Sequence, residues 1–207
     1  MIRAISLKGE QLDRELNFEL DRDSRKVFVF EKPDHAEEFW KLLIGLKRPL
    51  TGEVIIMGYN IKNLKRDKIL ELRRRVAVAF KNGGLISNLK AFENLILPAL
   101  YHKTDSKQNI IKKAIEFLEK FEFKKEPMCR ITTLNNLEKR IIGIGRGLLT
   151  NPDFMIFEYP FDGINHEEKR WLADRIEEIA KGKGVIYILS SEADRAIIDK
   201  KDRPGEN

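Results

Sequence analysis

The chain has 207 residues, of which 42% are hydrophobic and 35% are charged, with a formal net charge of +6 at pH 7. This length and composition predict one globular α/β domain, and the absence of any run of about 18 apolar residues excludes a membrane-spanning helix. Cys129 is the single cysteine, which excludes an internal disulfide framework and favours a reducing compartment.

Short apolar segments and longer helical patterns alternate along the chain. Strands are predicted at 1–7, 16–20, 27–30, 53–57, 76–80, 154–157 and 185–189, and helices at 36–46, 65–75, 107–121, 137–149 and 166–180. Buried strands that alternate with helices predict a mainly parallel sheet with helices on both faces. We expect a single domain over residues 1–207, with a disordered tail from about residue 199 to residue 207.

Four segments with characteristic glycines and prolines follow one another in a fixed order. They lie at residues 42–58, 80–98, 134–152 and 154–165 and contain, respectively, the sequences LLIGL, FKNGGL, LNNLEKR and FMIFEYPFDG. In this order they resemble the ATP-binding subunits of ABC transporters, across about residues 27 to 191. The resemblance implies a P-loop NTPase-like fold, with a small helical subdomain at about residues 85–150. The amino-acid sequence of residues 92–102 is most similar to that of bacterial lipid-trafficking (Mla-type) ABC ATPases.

The segment at the phosphate-loop position departs from the pattern G-x-x-x-x-G-K-[ST]. The glycine positions of the family's loop hold Phe30, Pro33 and His35, and Pro33 has no N–H to offer a phosphate. The lysine position holds Ala36, and the magnesium-ligand position holds Glu37. Asp34 and Glu37 have the spacing of a capping box, which predicts Asp34 as the N-cap. Together with Glu38, they would place negative charge at the helix N-terminus, where a phosphate would otherwise lie.

The other positions that the family uses for nucleotide chemistry are also altered. The glutamine of the glutamine loop is replaced by Lys81, and the switch histidine position holds Ser191. The signature sequence is altered at Asn135, Asn136, Leu137 and Glu138, and the Walker B aspartate and catalytic glutamate positions hold Glu158 and Tyr159. A phenol with an ordinary pKa of about 10 is a poor general base at neutral pH. No aromatic residue occurs in residues 1–17 to stack on adenine.

These substitutions predict a catalytically inactive ABC-ATPase-like subunit that acts as a structural or regulatory part of a membrane transport complex. The similarity of residues 92–102 extends this expectation to a complex that transports lipids. We expect no ATP, magnesium or other metal cofactor. The resemblance implies an ABC permease, and in addition an active ATPase subunit or a second copy, as partners at the cytoplasmic face of the membrane. It places a partner groove at Leu85, Phe92 and Tyr101, although these side chains could also form the subdomain's own core.

Three alternatives stay open at this stage. The first is a noncanonical ATPase that uses Lys32, Lys81 and Glu158. The second is a nucleic-acid-associated relative, which the basic charge allows, although the chain has no basic arm. The third is a fold that binds another small ligand in place of ATP.

Overall fold

The computed structural model describes residues 1–199. The strands are β1 (Ile2–Lys8), β2 (Leu16–Leu20), β3 (Arg25–Val29), β4 (Thr51–Ile56), β5 (Tyr59–Asn60), β6 (Val76–Ala79), β7 (Phe154–Glu158) and β8 (Gly184–Leu189). The helices are α1 (Pro33–Leu43), α2 (Arg66–Arg73), α3 (Ala91–His102), α4 (Lys107–Lys120), α5 (Asn136–Leu148), α6 (His166–Ile179) and α7 (Glu192–Asp199). The predicted tail from residue 200 onward lies outside the described residues.

The strands form two sheets of four strands each. One sheet is parallel, in the order β3-β8-β7-β6, and the other is antiparallel, in the order β2-β1-β4-β5. Helices lie on both faces of the parallel sheet, as predicted, with α5, α6 and α7 on one face and α1 on the other. The antiparallel sheet covers that face together with α1, since both contribute to one hydrophobic cluster with β7 and β8.

Alternate residues of the two central parallel strands point into two different hydrophobic cores. Ile156 and Ile186 pack with α1 and the antiparallel sheet. Met155 and Val185 pack in the other core, with α5, α6 and α7. Because side chains alternate across a strand, a central strand must be apolar on both faces, which explains the uninterrupted apolar runs in β7 and β8.

Three helices between β6 and β7 pack closely against one another. Gly145 of α5 lies at this contact, where an added Cβ atom would lie 2.5 Å from the Leu95 side chain of α3 and 2.4 Å from the Phe117 ring of α4. Glycine at this position therefore allows the three helices to approach. Helices α3, α4 and α5 span residues 91–148, and their separation as a subdomain at 85–150 stays a prediction.

Three helices, α1, α3 and α7, differ from the sequence-based prediction, and α3 was not among the predicted helices. Helix α1 begins at Pro33 rather than at residue 36 and ends at Leu43 rather than at residue 46. The fixed φ angle of proline suits the first helical position, and Gly45 has a φ of 68°, which stops the helix early. Helix α7 was not predicted. Among residues 1–199, no helix is long and apolar enough to cross a membrane.

Candidate functional site

The altered positions gather at one edge of the parallel sheet. Phe30 follows β3, Lys81 follows β6, Glu158 and Tyr159 end β7, and Ser191 follows β8. Because these strands are parallel, their carboxyl ends lie at the same edge, where ligands of open α/β sheets bind. The fold therefore brings these positions together around the start of α1.

The start of α1 is built differently from the predicted capping box. Lys32 is the N-cap residue and makes no side-chain cap hydrogen bond, so the prediction that Asp34 caps the helix is wrong. Pro33 occupies the first turn and displaces the cap toward the N-terminus. The carboxylate of Glu37 pairs with Lys41 one turn later, and Ala36 is fully buried in the core under the antiparallel sheet.

Glu38 does not lie free at the helix N-terminus, as the sequence suggested, but is buried with 3% exposure. Its carboxylate accepts hydrogen bonds from the backbone N–H groups of Glu10, Gln11 and Leu12 at 3.1, 2.6 and 3.1 Å, and it pairs with Lys47. Burial acts to raise the pKa of Glu38, but the hydrogen bonds from Lys47 and from the backbone outweigh it and lower the pKa. Glu38 thus anchors the loop after β1 to α1.

Tyr159 connects the end of β7 to the phosphate-loop segment. Its hydroxyl donates a hydrogen bond of 2.6 Å to the carbonyl oxygen of Phe30, and its backbone N–H donates to Ile188 at 2.8 Å. The side chain is 4% exposed, and the backbone has a φ of 47°, in the left-handed region. Burial, followed by the charges of Asp162 and Glu158, raises the pKa of Tyr159 to about 12. The phenol therefore remains a protonated hydrogen-bond donor at neutral pH.

Phe30, at a glycine position of the loop pattern, belongs to a row of phenylalanines. Its ring centroid lies 5.2 Å from that of Phe39 in α1 and 6.4 Å from that of Phe28 in β3. Phe18 of β2 continues the row, 4.9 Å from Phe28. These contacts attach the loop to the core through apolar packing.

Glu158, at the Walker B aspartate position, is held by protein groups. The indole Nε1 of Trp40 donates to its carboxylate at 2.8 Å, and the Lys81 backbone also donates to it. Burial raises the pKa of Glu158, and these hydrogen bonds oppose the shift. The helical spacing of Trp40 is typical of a core position and does not signal this indole contact. Among residues 1–199, no group of three or more His, Cys, Asp or Glu side chains is placed to hold a metal ion.

Lys81, at the glutamine-loop position, makes an ion pair across the site. Its ammonium lies 2.8 Å from Oδ2 of Asp162 and 5.7 Å from the centre of the Tyr159 ring. The other carboxylate oxygen of Asp162 accepts from the Ser190 hydroxyl at 2.5 Å. The cation, the carboxylate and the hydroxyl thus form one connected network.

Arg140 of α5 contacts the backbone of both loops in this network. The sequence analysis did not identify it. It is 2% exposed and donates to the carbonyl oxygens of Lys81 and Asp162 at 3.0 and 2.7 Å. Burial lowers the pKa of Arg140, and the negative charges of Asp162 and Glu168 partly oppose this shift. The arginine fixes the two loops that carry Lys81 and Asp162.

The altered signature segment forms a capping box at the start of α5. The Asn135 side chain accepts from the Glu138 N–H at 2.8 Å, and the Glu138 carboxylate accepts from the Asn135 N–H at 2.8 Å. Glu138 therefore forms half of the cap of α5. The N-x-x-E spacing was the signal for this cap, and it recurs at Asn165 and Glu168.

Ser191 and Leu137 have roles in local structure. The Ser191 hydroxyl accepts from the Asp194 backbone N–H at 3.3 Å, which is the geometry of an N-cap for α7. Leu137 is partly buried against the core that contains α5 and α6.

The residues predicted to line a partner groove lie on or near α3. Leu85 and Phe92 are partly buried and pack against the core, whereas Tyr101 is 77% exposed. Leu95, on the same helix, is fully buried.

Comparison with known proteins places the fold and the motifs in context. The family model described as ABC transporter matches residues 39–162. An ABC transporter ATP-binding protein of Archaeoglobus fulgidus is 28% identical over 212 residues, which cover 95% of this chain and 68% of that protein. The lipoprotein-releasing system ATP-binding protein LolD of Coxiella burnetii is 23% identical over 190 residues, with coverages of 91% and 81%. The methionine import ATP-binding protein MetN of Haemophilus ducreyi is 26% identical over 144 residues, with coverages of 70% and 42%.

Two solved structures share the architecture. The dimeric ATP-binding cassette MJ0796, bound to ADP and Pi, superposes with a TM-score of 0.80 at 18% identity over 95% of this chain and 91% of that one. The cbiO1 subunit of Clostridium perfringens superposes with a TM-score of 0.78 at 16% identity, with coverages of 92% and 78%. These similarities confirm the predicted P-loop NTPase-like α/β fold.

Proposed function

This chain belongs to the ABC transporter ATP-binding family, and on that premise we propose that it is a subunit of a transport complex that neither binds nor hydrolyses ATP. Membership of this family supports a role in a transport system. The proposal concerns what the altered site still does there, which is to hold its loops in place by contacts within the chain.

The hydrogen bond from Tyr159 to the carbonyl oxygen of Phe30 carries the proposal. A general base must accept a proton near the working pH, and burial raises the pKa of this phenol to about 12. Its oxygen also points at the phosphate-loop segment, where it donates rather than accepts. The side chain that would activate water in the family therefore joins two parts of the fold here.

The residues around the start of α1 do not fit a nucleotide with magnesium. Pro33 offers no N–H, Ala36 offers no ammonium, and Glu37 puts a carboxylate where a hydroxyl would meet the metal. No Gly-Lys-Ser or Gly-Lys-Thr sequence occurs in the 207 residues, so no shift of the alignment supplies a phosphate loop. Glu37 and Glu158 carry negative charge that would repel phosphate groups.

Charges within the chain take the place of the charges that a nucleotide complex would bring. Lys81 supplies a cation beside Asp162, and Asp162 is also bound by Ser190. Arg140 holds both loops through their carbonyl oxygens. This internal pairing supports a site whose loops are held by contacts within the chain.

A membrane permease is the proposed partner, at the inner face of the membrane. The proposed cargo is a lipid, because the sequence of residues 92–102 resembles that of lipid-trafficking ABC ATPases. The relatives LolD and MetN are named for lipoprotein release and methionine import. Purification of the tagged chain from detergent-solubilised membranes tests the partnership, and recovery without any permease or ATPase subunit would contradict it.

Phosphate release tests the inactive state. With millimolar ATP and magnesium, we expect the same background rate for the wild-type chain and for Glu158→Gln, alone and with the recovered permease. A magnesium-dependent rate that Glu158→Gln abolishes would instead establish a noncanonical ATPase.

A further inference from the structure

An apolar groove of about 330 Å³ lies between the end of α4, the start of α5 and the start of α6. Helix α5 presents Leu137 and Ile141 to this groove, whereas Gly143 of the same helix faces the segment after β6. The groove is therefore separate from the predicted partner groove near α3. We infer that it binds a lysine or arginine side chain on an apolar segment of a partner protein. The inference rests on the proposed role in a transport complex and specifies the chemistry of one partner.

The floor of the groove is made of aromatic and aliphatic side chains. Phe121 and Ile141 are buried, and Phe123, Leu137 and Trp171 are partly buried against the same core. The Phe121 and Trp171 rings meet edge to face, with their centroids 5.9 Å apart and an angle of 87° between their planes. Partly buried aromatic rings that border a groove offer a partner apolar surface at a fixed position.

Carboxylates outnumber cations around this floor. The lining glutamates are Glu122, Glu138, Glu167 and Glu168, and the lining cation is Lys124. Arg175 pairs with Glu122 at 3.1 Å, which leaves three carboxylates beside one lysine. Within residues 1–199, neither Glu167 nor Lys124 forms a salt bridge. The rim is therefore negatively charged and complements a further cation.

The N-termini of α5 and α6 determine the sign of the charge that fits. Both helices begin at the groove, and a helix N-terminus attracts anions. Here Glu138 and Glu168 already fill that role, because Oε2 of each carboxylate accepts the backbone N–H of its N-cap residue, at 2.8 and 3.0 Å. An anionic ligand would meet these carboxylates instead of free N–H groups. A cation can approach them, together with the exposed carboxylate of Glu167.

The chain itself holds one cation in the way that we expect for the partner. The guanidinium carbon of Arg175 lies 5.8 Å from the centre of the Trp171 ring, and its Nη2 lies 3.1 Å from a carboxylate oxygen of Glu122. A partner's lysine or arginine can lay its apolar stem on the aromatic floor while its charge reaches Glu167. Apolar residues beside that side chain would cover the rest of the floor, which favours a protein segment over a small free amine. An anionic membrane surface would be repelled by the same carboxylates.

Peptide binding tests the inference. The probe is a fluorescein-labelled 12-residue peptide with three leucines and two lysines, compared with the same peptide carrying two glutamines. We expect the lysine peptide to bind at least about tenfold more tightly in low salt, because charge pairing strengthens such contacts. Glu167→Lys should weaken its binding about fivefold or more. Glu15→Lys, which makes the same charge change at an exposed residue outside the groove, should change it less than about twofold.

Two further variants separate binding from folding and locate the peptide. A lysine near a helix N-terminus can weaken the helix, so Glu167→Gln is the second variant, with an expected loss of affinity of about threefold. Trp171 reports directly on the groove. We expect the unlabelled lysine peptide to shift the tryptophan emission of the wild type but not that of Trp171→Phe, in which Trp40 is the remaining tryptophan.

Equal affinity for the two peptides, equal effects of Glu167→Lys and Glu15→Lys, or an unchanged Trp171 emission would overturn the inference. Hexylammonium chloride forms a second arm. Binding of this amine as tight as that of the lysine peptide would assign the groove to small free amines instead. An ATP titration of the same sample separates this inference from the proposed function, because nucleotide binding would contradict the inactive site and leave the ratio of the two peptide affinities unchanged.

Discussion

Gly9 leaves the space that the buried carboxylate of Glu38 fills, since a Cβ atom on Gly9 would lie 2.2 Å from Oε2 of Glu38. The carboxylate then reaches three backbone N–H groups of the loop after β1. Glu38 occupies the residue after the magnesium-ligand position of the family pattern. Glu38 is therefore a structural anchor between α1 and the loop after β1.

We expect Glu38→Gln to lower the free energy of unfolding by about 3 kcal/mol, because an amide cannot accept all the hydrogen bonds of the carboxylate and Lys47 loses a buried partner. Urea unfolding followed by circular dichroism measures the change. The matched control is Glu37→Gln, an exposed neighbour paired only with Lys41, which should change stability by less than about 0.5 kcal/mol. Equal effects of the two variants would refute the anchor.

We expect Tyr159→Phe to destabilise the chain by about 1–2 kcal/mol, because it leaves the carbonyl oxygen of Phe30 without its hydrogen bond. Thermal unfolding measures the loss. The control is Tyr101→Phe, which should leave the stability unchanged because the Tyr101 side chain is exposed. A loss that is equally small at both positions would show that the hydroxyl does not hold the phosphate-loop segment.

We expect the stability of Glu158→Gln, relative to that of the wild type, to increase as the pH rises. Burial raises the pKa of Glu158 above its ordinary value of 4.5, so the folded chain holds this proton more tightly than the unfolded chain does. Stability of the wild type therefore falls as the pH rises through the raised pKa, and the glutamine variant lacks this fall. Unfolding of both chains in urea from pH 5 to pH 8 measures the difference. A stability difference that is independent of pH would contradict the shift.

Asn135→Ala should cost about 1 kcal/mol of stability, because it removes the cap of α5. Asn135→Gly should cost only a few tenths of a kcal/mol, since glycine is a tolerated N-cap. Chemical denaturation of the two variants gives the comparison. If glycine costs as much as alanine, packing rather than capping explains the position.

The alternating buried strands and helices were sufficient to predict the parallel sheet, because β7 and β8 are apolar on both faces. The antiparallel sheet was not foreseen. Its strands have weaker alternation, and the pairing of β1 with β4 joins residues that are far apart in sequence. Helix α7 escaped prediction because it is short and its signal depends on the Ser191 cap.

The site was predictable in its positions and less so in its contacts. Motif order assigned Ala36, Lys81 and Tyr159 to positions of the family's nucleotide site, and this assignment stays a prediction. The direction of the Tyr159 hydroxyl and the indole bond from Trp40 to Glu158 depend on tertiary packing, which single-sequence patterns do not contain. Glu38 is the instructive case, because a carboxylate beside a helix start can either face solvent or be buried with several donors.

The most direct test of the inactive site is an ATP titration of the pure chain by calorimetry, with magnesium and up to millimolar nucleotide. An ABC ATPase with an intact phosphate loop, measured in the same buffer, serves as the positive control. We predict no detectable heat of binding for this chain and no nucleotide-dependent shift in its melting temperature. Saturable binding at micromolar ATP would contradict the account, because it would mean that the segment around Pro33 and Ala36 still receives phosphate groups.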